Sequence, residues 1–155
     1  MRRNRGRMAA AGLAVAAMLG AAPANAEPMS DAEKLRRLDI MLMVTGLRCR
    51  TGADNFQPDF QRFEAKHLPE LNAAARSLAA EMVARGGRFG ADRALDRISV
   101  SIANAYGGGH PWLGCHELKG LTQQLAEARG AEPLLAAADE VLNGDGGPRV
   151  AYNAR

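Results

Sequence analysis

The sequence predicts an all-α protein, a single-domain bundle of four to six helices held by one disulfide. Three observations lead there. Apolar residues recur at three- and four-residue steps, the spacing that lines up one face of a helix. Glycine and proline clusters punctuate those runs at domain-scale intervals. Alternating apolar and polar residues, the mark of half-buried strands, are nearly absent.

The first helix is announced by Ser30-Asp31-Ala32-Glu33, which has the form of a capping box: the serine serves a free amide and the glutamate reaches back. Leu35, Leu38, Leu42, Thr45 and Cys49 then share a stripe, widened by Ile40, Met41, Met43 and Val44, so this helix is expected to be central, with Gly52 as a stop. A second pattern begins near Pro58, with Phe56, Phe60, Phe63 and His67 on one stripe. Pro69 should kink or split it, because proline lacks an amide proton and clashes with the preceding turn. Leu71, Ala75, Leu78 and Met82 continue to Gly86-Gly87. A third helix is expected over 91–106, with Leu95, Ile98, Ile102 and Tyr106 inward, broken by Gly107-Gly108-Gly109-His110-Pro111. A fourth starts near Gly114 and carries Leu118, Leu121 and Leu125 to Gly130. Pro133 suits the first turn of a fifth, with Leu134, Leu135, Ala138, Val141 and Leu142 as its apolar face.

The amino terminus reads as an address. Arg2, Arg3, Arg5 and Arg7 form a positive segment, Met8 to Ala22 are uncharged, and Ala24-Asn25-Ala26 supplies small residues for cleavage before Glu27. Residues 1–26 are therefore expected to be a signal peptide, 27–148 the helical domain and 149–155 a loose tail. A membrane anchor needs about 20 predominantly apolar residues, more than this alanine-dominated stretch has. Asn4-Arg5-Gly6 lacks the apolar residues of a twin-arginine signal, and no cysteine lies at the cleavage point to carry a lipid. The expected location is the periplasm or the medium.

Cleavage changes the charge. The whole chain has 20 basic and 17 acidic residues, and the leader takes four arginines away, leaving 16 against 17. A net charge of −1 gives no overall electrostatic pull toward nucleic acid or an anionic membrane. No later run has the length of a membrane span. The expected partner is an envelope protein or a small ligand, with no stable membrane insertion after cleavage.

Cys49 and Cys115 are the only cysteines. In an oxidising compartment the default is one intramolecular disulfide. The stretch around Cys115 holds the candidate binding residues His110, Trp112, His116 and Glu117. Cys115-His116 resembles the end of a haem-attachment motif, but Trp112 stands where its first cysteine would be, so covalent haem is not expected. His110, His116 and Glu117 have the donor types of a two-histidine, one-carboxylate metal site, provided they converge. The competing reading makes Trp112 a core anchor, Pro111 a turn setter and Glu117 a favourable first-turn charge. That reading is preferred, with no metal and no cofactor.

Other residues carry weaker signals. His67 sits at a helix interruption. Ser99 and Ser101 lack a nucleophile-elbow context. Asp92 and Asp96 are interleaved with Arg93 and Arg97, the pattern of a salt-bridged surface. No GxGxxG or P-loop is present. The preferred function is a non-catalytic binding or interaction protein; the alternative is a small enzyme or metal-binding protein using the His110/His116/Glu117 region.

Leu47-Arg48-Cys49-Arg50, the run Phe56 to Phe63 and the run His110 to Cys115 together resemble a group of small exported two-cysteine proteins of alphaproteobacteria, of unknown activity. The similarity spans roughly residues 38–125. The name S-adenosyl-L-homocysteine hydrolase, sometimes attached to such sequences, does not suit this chain, which lacks the length and glycine fingerprint of a dinucleotide-binding enzyme. The resemblance implies export and the two cysteines, and no catalytic residues. If the leader is removed as expected, amino-terminal sequencing of the exported protein will read Glu-Pro-Met-Ser; an uncleaved chain retained in the cytoplasm would overturn the assignment.

Overall fold

The computed structural model describes residues 28–142; the expected signal peptide, its cleavage point, the end of the domain and the C-terminal tail lie outside these residues. Five helices follow in order: α1 (Asp31–Arg48), α2 (Gln57–Lys66), α3 (Leu68–Tyr106), α4 (Cys115–Glu127) and α5 (Glu132–Leu142), with no strand among the described residues. The all-α bundle with one disulfide is the architecture observed. None of these helices is long and apolar enough to cross a membrane.

α1 is the central element. Leu35, Leu38, Ile40, Met41, Leu42 and Thr45 are buried along it, and Cys49 is buried at its cap. α2, α3, α4 and α5 all pack against it. Met43, expected to widen this face, instead points outward at 41% exposure, because the helix is surrounded on only part of its circumference. Ser30 accepts from the Glu33 amide as the cap requires, at 3.2 Å. Glu33 does not complete the box: it pairs with Arg37 at 2.7 Å, and the Ser30 hydroxyl donates to Glu81 on α3 at 2.8 Å. The helix stops at Arg48 rather than at Gly52, which lies in the loop beyond.

The Phe56, Phe60, Phe63 and His67 stripe is buried as the spacing predicts. Phe56 reaches the α1 backbone because position 46 is glycine; a Cβ there would lie 3.3 Å from the Phe56 ring. Pro69 divides α2 from α3, with His67 as the single residue between them. α3 is two helical arms rather than one rod. At Gly87 the backbone leaves the helical region (φ 68°, ψ 172°), a left-handed conformation that glycine adopts without steric cost. Ser30 touches Glu81, Arg36 touches Ser99, and Arg48 lies under Gly109. The first arm therefore runs antiparallel to α1, the chain turns near Gly87, and the second arm returns parallel. On the first arm Ala74 is buried and Ala75 exposed, the reverse of the expected stripe. Both fit a 3.6-residue period from Leu71, and docking against α1 selects the former.

α4 packs mainly on α2 and α5 on α1. Asp59 of α2, itself buried, accepts from Gln123 of α4 at 3.2 Å. Lys34 of α1 pairs with Asp139 of α5 at 2.8 Å. Cys49 and Cys115 are bonded, with Cα atoms 5.7 Å apart, inside the usual range of about 4.4–6.8 Å. The bond joins the cap of α1 to the first residue of α4 across 66 positions of sequence. Closing a loop of that length in the unfolded chain restricts it strongly, so Cys115→Ser should lower stability by about 2–4 kcal/mol in urea unfolding. An unchanged midpoint would mean that the bond restrains nothing the packing does not already hold.

Candidate functional site

His110, His116 and Glu117 do not form a ligand set in the structure. His110 is buried at the turn after α3 and both its ring nitrogens are occupied. Nε2 donates to the Val141 carbonyl at 3.1 Å, and Nδ1 accepts from the Leu113 amide at 3.2 Å. That pattern defines a neutral imidazole with its proton on Nε2. Its ring stacks on Tyr106 at 5.3 Å between centroids and meets Trp112 edge-on at 4.6 Å. Gly109 (φ 116°) sets the approach; a Cβ there would meet the Arg48 guanidine nitrogen at 3.2 Å. Trp112 is thus a half-buried shield over His110.

His116 projects into solvent from the first turn of α4, its side chain 83% exposed, with Nδ1 3.3 Å from Asp54 Oδ1. Nearby, Lys119 donates to the Ala53 carbonyl at 2.9 Å. These contacts clip the loop between α1 and α2 onto α4 beside the disulfide. Glu117 accepts from the Gly114 amide at 3.0 Å, the glutamate half of a capping box whose other half glycine cannot supply. Among the described residues no group of three or more His, Cys, Asp and Glu is arranged to hold a metal ion. The three polar candidates serve three different structural purposes.

His67, a weak candidate from sequence, has a defined role. It is 1% exposed and donates from Nε2 to the Leu125 carbonyl at 2.8 Å. Leu125 lies in the last turn of α4, and Val141 near the end of the described part of α5. Each buried histidine thus donates to a backbone carbonyl of another helix; that of Leu125 also accepts from the Ala128 amide at 3.2 Å. Lys66 likewise donates to the Glu127 carbonyl at 2.9 Å. The two sites share a local pattern: an aromatic four residues before the histidine and a proline one or two after it, as Phe63-His67-Pro69 and Tyr106-His110-Pro111. His67 packs against Phe63 with tilted rings, 5.4 Å between centroids. Its Nδ1 lies 4.0 Å from Glu70 Oε2, and both atoms are buried without a hydrogen-bond partner among the described residues.

Asp39 is a feature that apolar spacing passed over, although a lone acid between Leu38 and Ile40 is a visible anomaly. Oδ2 is 3.5 Å from Arg36, while Oδ1 is buried without a partner among the described residues. Burial, with repulsion from Glu64 added, raises its carboxyl to about 6 against a partial offset from Arg36. Ser99 receives a long contact from the same Arg36, and Ser101 bonds its own helix at the Ile98 carbonyl. Asp92, Arg93, Asp96 and Arg97 are exposed and form no ion pair among the described residues, so the expected salt-bridged surface is a solvated one.

One open depression lies at the end of α1, lined by Val44, Leu47, Arg48, Arg50, Thr51 and Gly107. Leu47 is 48% exposed, Met43 lies one turn earlier on the same face, and neither arginine forms an ion pair among the described residues. The arrangement offers an apolar surface edged by two fixed positive charges. The chain matches no protein-family model, no curated protein and no solved structure.

The two buried titrating groups pull stability in opposite directions with pH. Burial lowers His110, despite the bond to Val141, so its contribution is present above the ordinary histidine value and is lost as pH falls through the folded one. Asp39 is raised, so its contribution is present below the ordinary value of 3.8 and is lost as pH rises through about 6. Asp39→Asn, which cannot ionise, should therefore stabilise the protein by about 1–2 kcal/mol at neutral pH and by nothing near pH 4. Urea midpoints of both proteins across that range check this; a constant offset would place the effect elsewhere than in ionisation.

Proposed function

We propose that the protein works outside the cytoplasm as a non-catalytic interaction protein, and that it takes its partner on the exposed face at the end of α1. The observation that carries this reading is the meeting of Met43, Leu47 and Val44 with Arg48 and Arg50, two cations that no acid of the described fold neutralises. Exposed apolar side chains rimmed by charge mark interaction surfaces more often than catalytic clefts. The complementary occupant is an acidic segment of an envelope protein with apolar residues beside its carboxylates, which the two guanidiniums would take by charge-assisted hydrogen bonds.

Export is supported by the leader pattern and by a disulfide that suits an oxidising compartment. Absence of catalysis is supported by the engagement of His110, His67 and Glu117 in backbone hydrogen bonds. A general base must be free to reach a substrate proton, and both nitrogens of His110 are already committed.

A photo-crosslinking residue placed at Leu47, with one at Gln124 as control, tests the assignment in the compartment where the protein resides. A discrete adduct from position 47 alone, lost on adding Arg48→Glu and Arg50→Glu, is the expected result. Equal adducts from both positions, or an adduct indifferent to the charge reversal, would refute the site.

A further inference from the structure

The turn between the two arms of α3 leaves Phe89 89% exposed, far beyond any other large apolar residue of the described chain. We propose that this tip is a second, independent interaction surface: a peripheral contact with an anionic lipid surface, in which Phe89 enters the boundary between headgroups and acyl chains. Four observations point the same way. Gly86, Gly87 and Gly90 surround Phe89, and a Cβ at any of them would meet nothing within 4 Å, so the ring stands on a narrow, unobstructed tip. Val83, one turn before Gly87, is also exposed, at 44%. Arg85 and Arg88 flank the ring, both exposed and both without an ion pair among the described residues. No acidic residue lies between Met82 and Ala91. The charges beyond it, Asp92, Arg93, Asp96 and Arg97, cancel; Glu81, one turn before Arg85, accepts from the Ser30 hydroxyl, and the two arginines are the charges nearest the ring along the chain.

This local charge is invisible in the net charge of the mature chain. Interfacial binding combines buried apolar area with attraction of Lys and Arg to anionic lipid. Arginine suits the rim because its apolar stem can lie along the acyl boundary while the guanidinium stays with the phosphates. A convex tip with one aromatic ring favours this over single-stranded nucleic acid, which needs a groove that tracks the backbone and a row of stacking platforms. One ring and two cations make a reversible contact rather than an anchor, compatible with described helices none of which is long and apolar enough to cross a membrane.

Co-sedimentation of the full mature chain with phosphatidylglycerol vesicles, beside phosphatidylcholine vesicles, tests the proposal. Binding should be selective for the anionic vesicles and should weaken as salt rises. Arg85→Glu with Arg88→Glu should weaken it by about tenfold or more, from about 1 kcal/mol per cation at the surface. Phe89→Asp should weaken it comparably while leaving thermal unfolding unchanged, since the ring is outside the core. Phe89→Trp should restore it and give a vesicle-dependent blue shift, read against the parent protein with Trp112 alone. Failure of the parent chain to sediment with phosphatidylglycerol would overturn the proposal. So would full binding by Phe89→Asp, or preferential binding of a single-stranded oligonucleotide over the vesicles. None of these outcomes bears on the α1 face, which lies at the other end of the helix.

Discussion

Everything in this fold is arranged around the burial of α1. Leu38, Met41, Leu42 and Thr45 are fully buried in the middle of a helix of 18 residues, and the other helices are placed by the need to cover them. The buried face of such a helix cannot carry an unpaired polar group cheaply. Thr45 meets the constraint locally, donating to the Met41 carbonyl at 2.7 Å. Asp39 meets it only in part, and the result is a carboxyl displaced toward neutral pH. Charges that satisfy themselves fully are found toward the ends. Ser30 with Glu81 and Lys34 with Asp139 secure the beginning, and the covalent link from Cys49 secures the end.

That constraint explains which parts of the architecture could be read from the sequence. Stripes such as Leu35, Leu38, Leu42, Thr45 and Cys49, or Phe56, Phe60, Phe63 and His67, are consequences of helical period alone, and both are buried as the spacing requires. The disulfide follows from the presence of two cysteines together with the expectation of an oxidising compartment. Errors occurred where a tertiary neighbour decides between near-equal local choices. Ala74 and Ala75 are equivalent to the period, and docking on α1 selects one. Glu33 has two partners within reach and takes the Arg37 guanidinium instead of the Ser30 amide.

The polar candidates were harder for a related reason. A buried histidine adjacent to a cysteine, a carboxylate and a second histidine has the composition of a ligand set, and composition carries no direction. What His110 and His67 bond is a carbonyl 31 or 58 residues away, on a helix that the sequence does not place beside them. Their shared context was nevertheless visible: an aromatic four residues before, and a proline that ends or interrupts the helix just there. The aromatic packs against the imidazole and the proline prevents the chain from continuing as helix, so the ring is left at a junction with its Nε2 aimed outward from its own segment. A histidine so held is suited to donating to a carbonyl of another helix.

Consuming the histidines in this way leaves function to the ends of the bundle. α1 spans about 27 Å at 1.5 Å per residue. Because the first arm of α3 runs antiparallel to it and the second parallel, the Gly87 turn lies beyond its beginning and the Gly107-Gly108-Gly109 turn beyond its end. The arginine-edged depression and the exposed Phe89 therefore occupy opposite poles of a single packed unit, joined through the same central helix. Each pole combines an exposed apolar side chain with two arginines that form no ion pair among the described residues, whereas Lys34 with Asp139 and Arg37 with Glu33 cancel along α1. Under the two proposals each pole would take an anionic ligand, and engaging one pole with a surface would direct the other away from it.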